Sequence, residues 1–292
     1  MEQNVVLKQD ACYPLLLTEL NDAPKKLYYK GEWNPELFEH CLAVVGTRRM
    51  TTYGKRITEQ LVGEIAGAGI TIVSGFMYGI DATAHKAALR VGGKTIAVMP
   101  CGIDLVHPEY QKDLYEEILQ SGGLILSEFE GMFQPTLWTY PKRNRIVAGL
   151  CQATLVVEAG EKSGSLITAH YAKKYGRKLF VIPGPLTSSV SAGISELIRD
   201  GAAVVTRAKD ILDFYGIKSE IRSTKSETNS NVPNSKSQTL EGKILEQLRI
   251  EPKEIDELAR MLEVPVSKLG TALSMMQLSG IVSEEGGKYH LS

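Results

Sequence analysis

Three short segments of this chain carry residue types suited to holding phosphate. They are Gly46-Thr47-Arg48, then Ser74-Gly75 with Gly79-Ile80-Asp81 behind it, and Ser163-Gly164-Ser165. Each follows a short apolar run (Val44-Val45, Val73, Val156-Val157) and leads into a helical pattern. A helix N-terminus offers unpaired N–H groups and a partial positive charge, so it attracts anions. Arg48, placed in such a turn, has the planar fork for a bidentate phosphate contact. A fourth segment, Lys142-Arg143-Asn144-Arg145, follows Phe129, Phe133, Trp138 and Tyr140. Cations interleaved with aromatics suit single-stranded nucleic acid. Phosphates pair with Lys and Arg, and bases stack on rings for on the order of 1–3 kcal/mol each. Together the segments point to a multi-phosphate ligand: a nucleic acid, or failing that a nucleotide.

Every one of these motifs also has a plain structural reading. Gly46 can serve an ordinary strand-to-helix turn, Asp81 can cap a helix, and Ser163 can do the same. His85, beside alanines, reads as a packed residue. Cations at a helix start oppose the dipole, which favours a ligand for 142–145. Glu158, at a strand end, reads better as a loop-bracing carboxylate than as a base. Standard NTP and dinucleotide fingerprints are missing, as are a GxSxG elbow and a nucleophile beside a base. The five histidines are scattered and Cys12, Cys41, Cys101 and Cys151 form no CxxC, so neither metal nor cofactor is expected.

The elements that must position these residues alternate. Apolar strands are expected at 42–45, 70–73, 95–99, 123–126, 154–157, 179–182 and 203–205. Helices are expected at 53–68, 79–90, 109–120, 143–150, 164–175 and 193–199. Such alternation implies right-handed crossovers and a doubly wound, mainly parallel α/β sheet over 41–217, with the phosphate-type turns on one rim. Residues 1–40 read as a lead-in packed on that domain. The polar stretch 218–239 has too little apolar surface to offset ordering and reads as a flexible linker.

From 240 to 292 helical periodicity returns: Ile244, Leu245 and Leu248, then Ile255, Leu258, Ala259 and Leu262, then Leu269, Leu273 and Met276. Gly280 ends the last helix, and strands around Gly286-Gly287 make a hairpin. Three helices and a hairpin describe a winged helix. Its six Lys/Arg stand against nine Asp/Glu, a net of −3, and its candidate recognition helix 267–279 carries only Lys268. Phosphate contacts dominate duplex affinity, so a protein contact is expected of it instead.

The net charge of −1 excludes a globally basic coat protein but not a local basic patch. No signal peptide and no apolar run near ~20 residues is visible, so a cytoplasmic protein without membrane contact is expected.

These residues, in this order, resemble the DNA-processing protein A family (DprA, also called Smf). The match runs from Tyr13-Pro14 to the C-terminus. It includes Val45-Gly46-Thr47-Arg48, Ser74-Gly75 with Gly79-Ile80-Asp81, Pro141-Lys142-Arg143-Asn144-Arg145-Ile146, and Val157-Glu158-Ala159 with Ser163-Gly164-Ser165. The resemblance implies an extended Rossmann-like domain that binds single-stranded DNA. It also implies dimerisation through that domain and loading of the recombinase RecA in natural transformation, protecting incoming DNA, with no enzymatic activity. Arg48, Lys142, Arg143 and Arg145 would then neutralise phosphates, with Tyr140 stacking a base. Gly46, Ser74, Gly75 and Gly164 would donate N–H groups, beside Thr47, Asn144, Ser163 and Ser165. Too few residues precede Tyr13 for the small helical domain the family often carries. Met77-Tyr78 replace a common Ala-Arg, Tyr140 a common Phe, and Ser195 a frequent Asn. An alternative of another class stands beside this reading. The loop at 157–168 looks like that of nucleoside-monophosphate phosphoribohydrolases, with Glu158 as base.

Overall fold

The computed structural model describes residues 4–217, 240–248 and 251–291. The chain divides into two compact units, Met1–Ile221 and Arg222–Ser292. The stretch read as a linker, 218–239, lies outside the described residues.

The first unit is built on a nine-stranded sheet in the order β1-β2-β6-β5-β4-β3-β7-β8-β9, with β1 at Val5–Leu7, β2 at Lys26–Lys30 and the others as follows. Seven strands run parallel: β3 (Cys41–Val45), β4 (Thr71–Ser74), β5 (Thr95–Gly102), β6 (Leu124–Phe129), β7 (Ala153–Val156), β8 (Lys178–Val181) and β9 (Ala203–Val204). β3, β4, β5 and most of β6 and β7 are buried apolar runs, because helices cover both faces. One layer, including α2 (Thr52–Gly67) and α3 (Ile80–Arg90), packs Leu61, Val62, Ile65, Ile80 and Ala84 on Leu42, Val44 and Ile72. α5 (Thr139–Gly149) and α6 (Ser165–Lys174) cover the other face through Ile146, Val147 and Ala169. Among the described residues no helix is long and apolar enough to cross a membrane.

The lead-in departs from the expectation of a mere packed segment. β1 (Val5–Leu7) and β2 (Lys26–Lys30) extend the sheet, β2 pairing antiparallel with β6 through Tyr28 and Ser127. Leu27 is fully buried while Lys26 and Lys30 are not. Tyr28 beside Leu27 is buried too, so the strand shows no alternation, and its partner lies far along the chain, which hides it from a local reading.

The second unit has helices α9 (Leu240–Leu248), α10 (Ile255–Leu262) and α11 (Val266–Leu278) and the hairpin β11 (Val282–Glu285) and β12 (Lys288–Leu291). Its core holds Ile244, Leu248, Leu258, Leu269, Leu273 and Met276. A short β10 (Lys253–Glu254), not foreseen, adds to the hairpin. α10 opens with a capping box between Glu254 and Glu257.

Candidate nucleic-acid interface

The chain order of the parallel strands reverses between β3 and β7. In an open α/β sheet, the carboxyl ends of two such strands leave a crevice, because their connections depart to opposite faces. Here that crevice is a cleft of about 830 Å³. Gly46, Thr47 and Arg48 enter it from the end of β3, Gly75 and Tyr78 from the end of β4, and the 160–165 loop from the end of β7.

The turns are held close by their backbones. A Cβ on Gly46 would lie 2.6 Å from Ile80, the first residue of α3. Gly79 has φ +85, and a Cβ there would lie 2.7 Å from Arg48 Cα. Both turns therefore need glycine to approach one another. Between them Phe76 takes φ +58, an uncommon conformation for a large side chain. Its ring is fully buried and its carbonyl accepts from Gln111 Nε2 at 2.8 Å.

Glu158 braces the first turn, as its carboxylate accepts from the Thr51 N–H (2.9 Å) and hydroxyl (2.5 Å). Its carbonyl accepts from Thr47 N–H at 2.7 Å. Thr51 in turn caps α2 through Gly54 N–H. Glu158 is buried and does not line the cleft.

Across the cleft stands α5. Leu137 lines it from the turn just before the helix, and Tyr140, Pro141, Asn144 and Val147 line it from within, a spacing that puts these four on one helical face. The helix starts at Thr139, four residues before the expected 143, with Pro141 in its first turn, where a missing N–H is tolerated. Lys142–Arg145 therefore lie inside the helix, and the dipole argument for them falls away.

Three expected contacts are corrected. Arg145, 8% exposed, turns from the cleft; its Nη2 binds both Glu128 oxygens at 2.6 Å and its Nη1 donates to the Asp22 carbonyl. Lys142 joins the same side, 3.4 Å from Glu128. Ser74 is fully buried and its hydroxyl donates to the Val44 carbonyl at 2.6 Å. Arg143 does reach the cleft wall, but at 3% exposure its guanidinium is spent on the carbonyls of Gly75 and Val98. It ties the β4 and β5 ends together, and burial draws its pKa down to about 10, against the pull of Asp81.

Asp81 does not act as the N-cap of α3, which is Gly79; its carboxylate faces Met77 N–H at 3.4 Å. Burial raises its pKa to about 6, opposed first by Arg143. His85 is a packed residue: Thr95 Oγ1 gives its proton to the Ile72 carbonyl, so His85 Nδ1 donates to that oxygen at 2.6 Å. Burial lowers the His85 pKa to about 3.

Exposed cations at the cleft are Arg48, Arg49 and Lys162. Arg48 lies 5.3 Å from the Tyr140 ring centre and 5.8 Å from that of Tyr78. Tyr140 is fixed from behind by His107 Nε2 at 2.9 Å, and burial lowers the pKa of that histidine. Opposite, Ser163 and Ser165 hydroxyls meet at 2.8 Å, and Asn144 Nδ2 donates to the Gly164 carbonyl at 3.2 Å. The expected residues that meet in the cleft are thus Gly46, Thr47, Arg48, Gly75, Tyr140, Arg143, Asn144, Ser163, Gly164 and Ser165. Arg49 and Lys162 were missed, though each adjoins a residue already singled out.

A sheet whose strand order reverses at an open cleft, in a chain that also carries a winged helix, defines a doubly wound α/β protein with an appended winged-helix unit. The chain belongs to the DNA recombination-mediator protein A family, whose model matches residues 4–216; the DprA winged helix domain matches residues 229–288. Protein Smf of Escherichia coli is 36% identical over 278 residues, covering 95% of this chain and 74% of that protein. DNA processing protein DprA of Streptococcus pneumoniae is 42% identical over 203 residues, 70% of this chain and 71% of that protein. Its crystal structure superposes with a TM-score of 0.68 over 73% of this chain and 74% of that one. DNA processing protein A of Helicobacter pylori, for which a single-stranded DNA binding mode is described, gives 0.65 at 34% identity, over 74% of this chain and 96% of that one.

Proposed function

We propose that the switch-point cleft binds single-stranded DNA without sequence preference and that the protein acts as a recombination mediator. The observation that carries this is Arg48 held between Tyr78 and Tyr140, facing a loop of hydroxyls and N–H groups. Rings supply stacking for bases of any identity, and Arg48, Arg49 and Lys162 supply phosphate contacts. Tyr140 and the 46–48 and 163–165 turns keep the roles given them by sequence. In this reading the protein shields incoming strands in the cytoplasm during natural transformation and delivers them to RecA, with no catalytic step. The homologous DprA proteins support it.

Dimerisation through the first unit belongs to the same reading. Ile198, Val204 and Phe214 are exposed near its end, and β9 is an edge strand there. The winged helix, at a net charge of −3, serves as a protein contact. The phosphoribohydrolase reading is not favoured: its base, Glu158, is held by Thr51 and does not line the cleft.

The test is binding to a labelled single strand, its matching duplex and a mononucleotide across a salt series. Single-strand preference with a slope of several phosphates is expected. Equal binding to the mononucleotide, or base release from it that Glu158→Gln abolishes, would overturn the reading.

A further inference from the structure

The cleft leaves one group of rings unused. Phe129 and Phe133 stack at 4.8 Å with planes 11° apart, and Trp138 meets them edge-on at 5.8 and 6.3 Å. The group is not core: Trp138 is 53% exposed, and Met132, Phe133 and Leu137 beside it are exposed too. Nor is it loose. Phe129 and Phe133 carbonyls accept from Ile103 and Gly102 N–H groups at 3.1 and 2.8 Å, and the Gly131 carbonyl from Asp104 N–H at 2.9 Å. Thr139 Oγ1 ties the approach to α5, donating to the Thr136 carbonyl at 2.8 Å.

We propose that Trp138, with Lys142 beside it, is a second base-stacking subsite, which takes a nucleotide of a DNA single strand after it leaves the cleft over Leu137. This subsite rests on the single-strand reading of the cleft. Continuity supports it: Leu137 lines the cleft and is the immediate neighbour of Trp138. Charge supports it as well. Lys142 Nζ lies 5.6 Å from the Trp138 ring centre and 5.1 Å from that of Phe129. Glu128, its one carboxylate partner among the described residues, has both oxygens bound by Arg145, so the group of three keeps a net positive charge, with Lys142 as its most exposed member. A rigid exposed indole with an adjacent ammonium offers a π-face for a base and a partner for its phosphate. It also gives Lys142, which the cleft does not use, a ligand.

The chain has two tryptophans, so Trp33→Phe leaves Trp138 as its single indole reporter. Trp33 packs between Tyr29 and Phe38, where Phe keeps a ring. This variant is titrated with end-labelled oligothymidylates of increasing length. Anisotropy of the label reports binding, and indole emission reports stacking. The expected result is binding of short strands without quenching. Above a threshold length, quenching appears and affinity tightens about tenfold. In the full chain, Trp138→Ala reduces the long-to-short affinity ratio toward one, and Trp138→Phe restores most of it. The ratio is internal to each variant, so lost active protein does not mimic the effect. Strands that bind and tighten with length while emission stays constant, with the ratio kept in Trp138→Ala, overturn the subsite and leave the cleft standing. No anisotropy change at any length overturns both.

Discussion

Arg48 lies over Tyr140: its guanidinium carbon is 5.3 Å from the ring centre, although one residue ends a strand turn and the other begins a distant helix. The contact orients the guanidinium without consuming its donors. Arg48→Ala should therefore weaken binding of every single-strand sequence and lower the salt slope by about 0.7, the value for one lost phosphate contact. Arg48→Lys should keep the slope and lose affinity through the lost stacking surface. A slope unchanged in Arg48→Ala, measured by anisotropy across salt, would remove Arg48 from the phosphate path.

Arg145 should behave in the opposite way. It closes a largely buried pair with Glu128, and removing one partner of such a pair costs about 3 kcal/mol. Arg145→Ala is expected to lower the unfolding free energy by that amount, read as a lower denaturant midpoint at unchanged slope, while the salt slope for strands short enough to fill only the cleft stays as in the parent. Arg143→Ala should likewise act mainly on stability, since it leaves the Gly75 and Val98 carbonyls without their donor.

Gly46→Ala tests the close approach of the two turns. The added methyl would press on Ile80, and overpacking of this kind costs on the order of 1–3 kcal/mol. Because relief must come from moving the 46–48 turn, strand affinity should fall as well. Unfolding and binding measured together would show both losses, whereas an unchanged affinity would separate the turn from the site.

His85 sets a pH dependence. Its folded pKa of about 3 lies below the ordinary 6.5, so the unfolded chain binds an extra proton as pH falls between those values. Its contribution to stability is complete above pH 6.5 and is lost on acidification toward pH 3. Asp81, raised to about 6, has the reverse sign between about pH 4 and 6, so the two oppose one another in that range. His85→Asn, which keeps a donor toward Thr95, removes only the first effect. The variant should gain on the parent by about 1.4 kcal/mol per pH unit from pH 6 to pH 4. A stability difference that stays constant with pH would show that His85 titrates normally.

Much of this was legible without the fold. The strand and helix alternation from 41 to 217 follows from apolar runs separated by amphipathic patterns, and the three phosphate-type turns from glycine and hydroxyl residues after those runs. The winged-helix pattern of three helices and a hairpin is likewise local, since Leu258, Leu269 and Leu273 mark their faces by periodicity. β1, β2 and β10 escaped because short strands are defined by the partners they pair with.

The direction of the cations was decided by tertiary structure alone. Successive residues of a helix point about 100° apart, so the run 142–145 cannot face one ligand. Asn144 lines the cleft, Arg143 is buried in its wall, and Lys142 and Arg145 turn to Glu128. The sequence by itself determined that phosphate chemistry, aromatic rings and a winged helix share this chain. Only the reversal of strand order between β3 and β7 brought Arg48, Tyr140 and the 163–165 loop to one cleft. Long-range pairing, not local propensity, fixes that order.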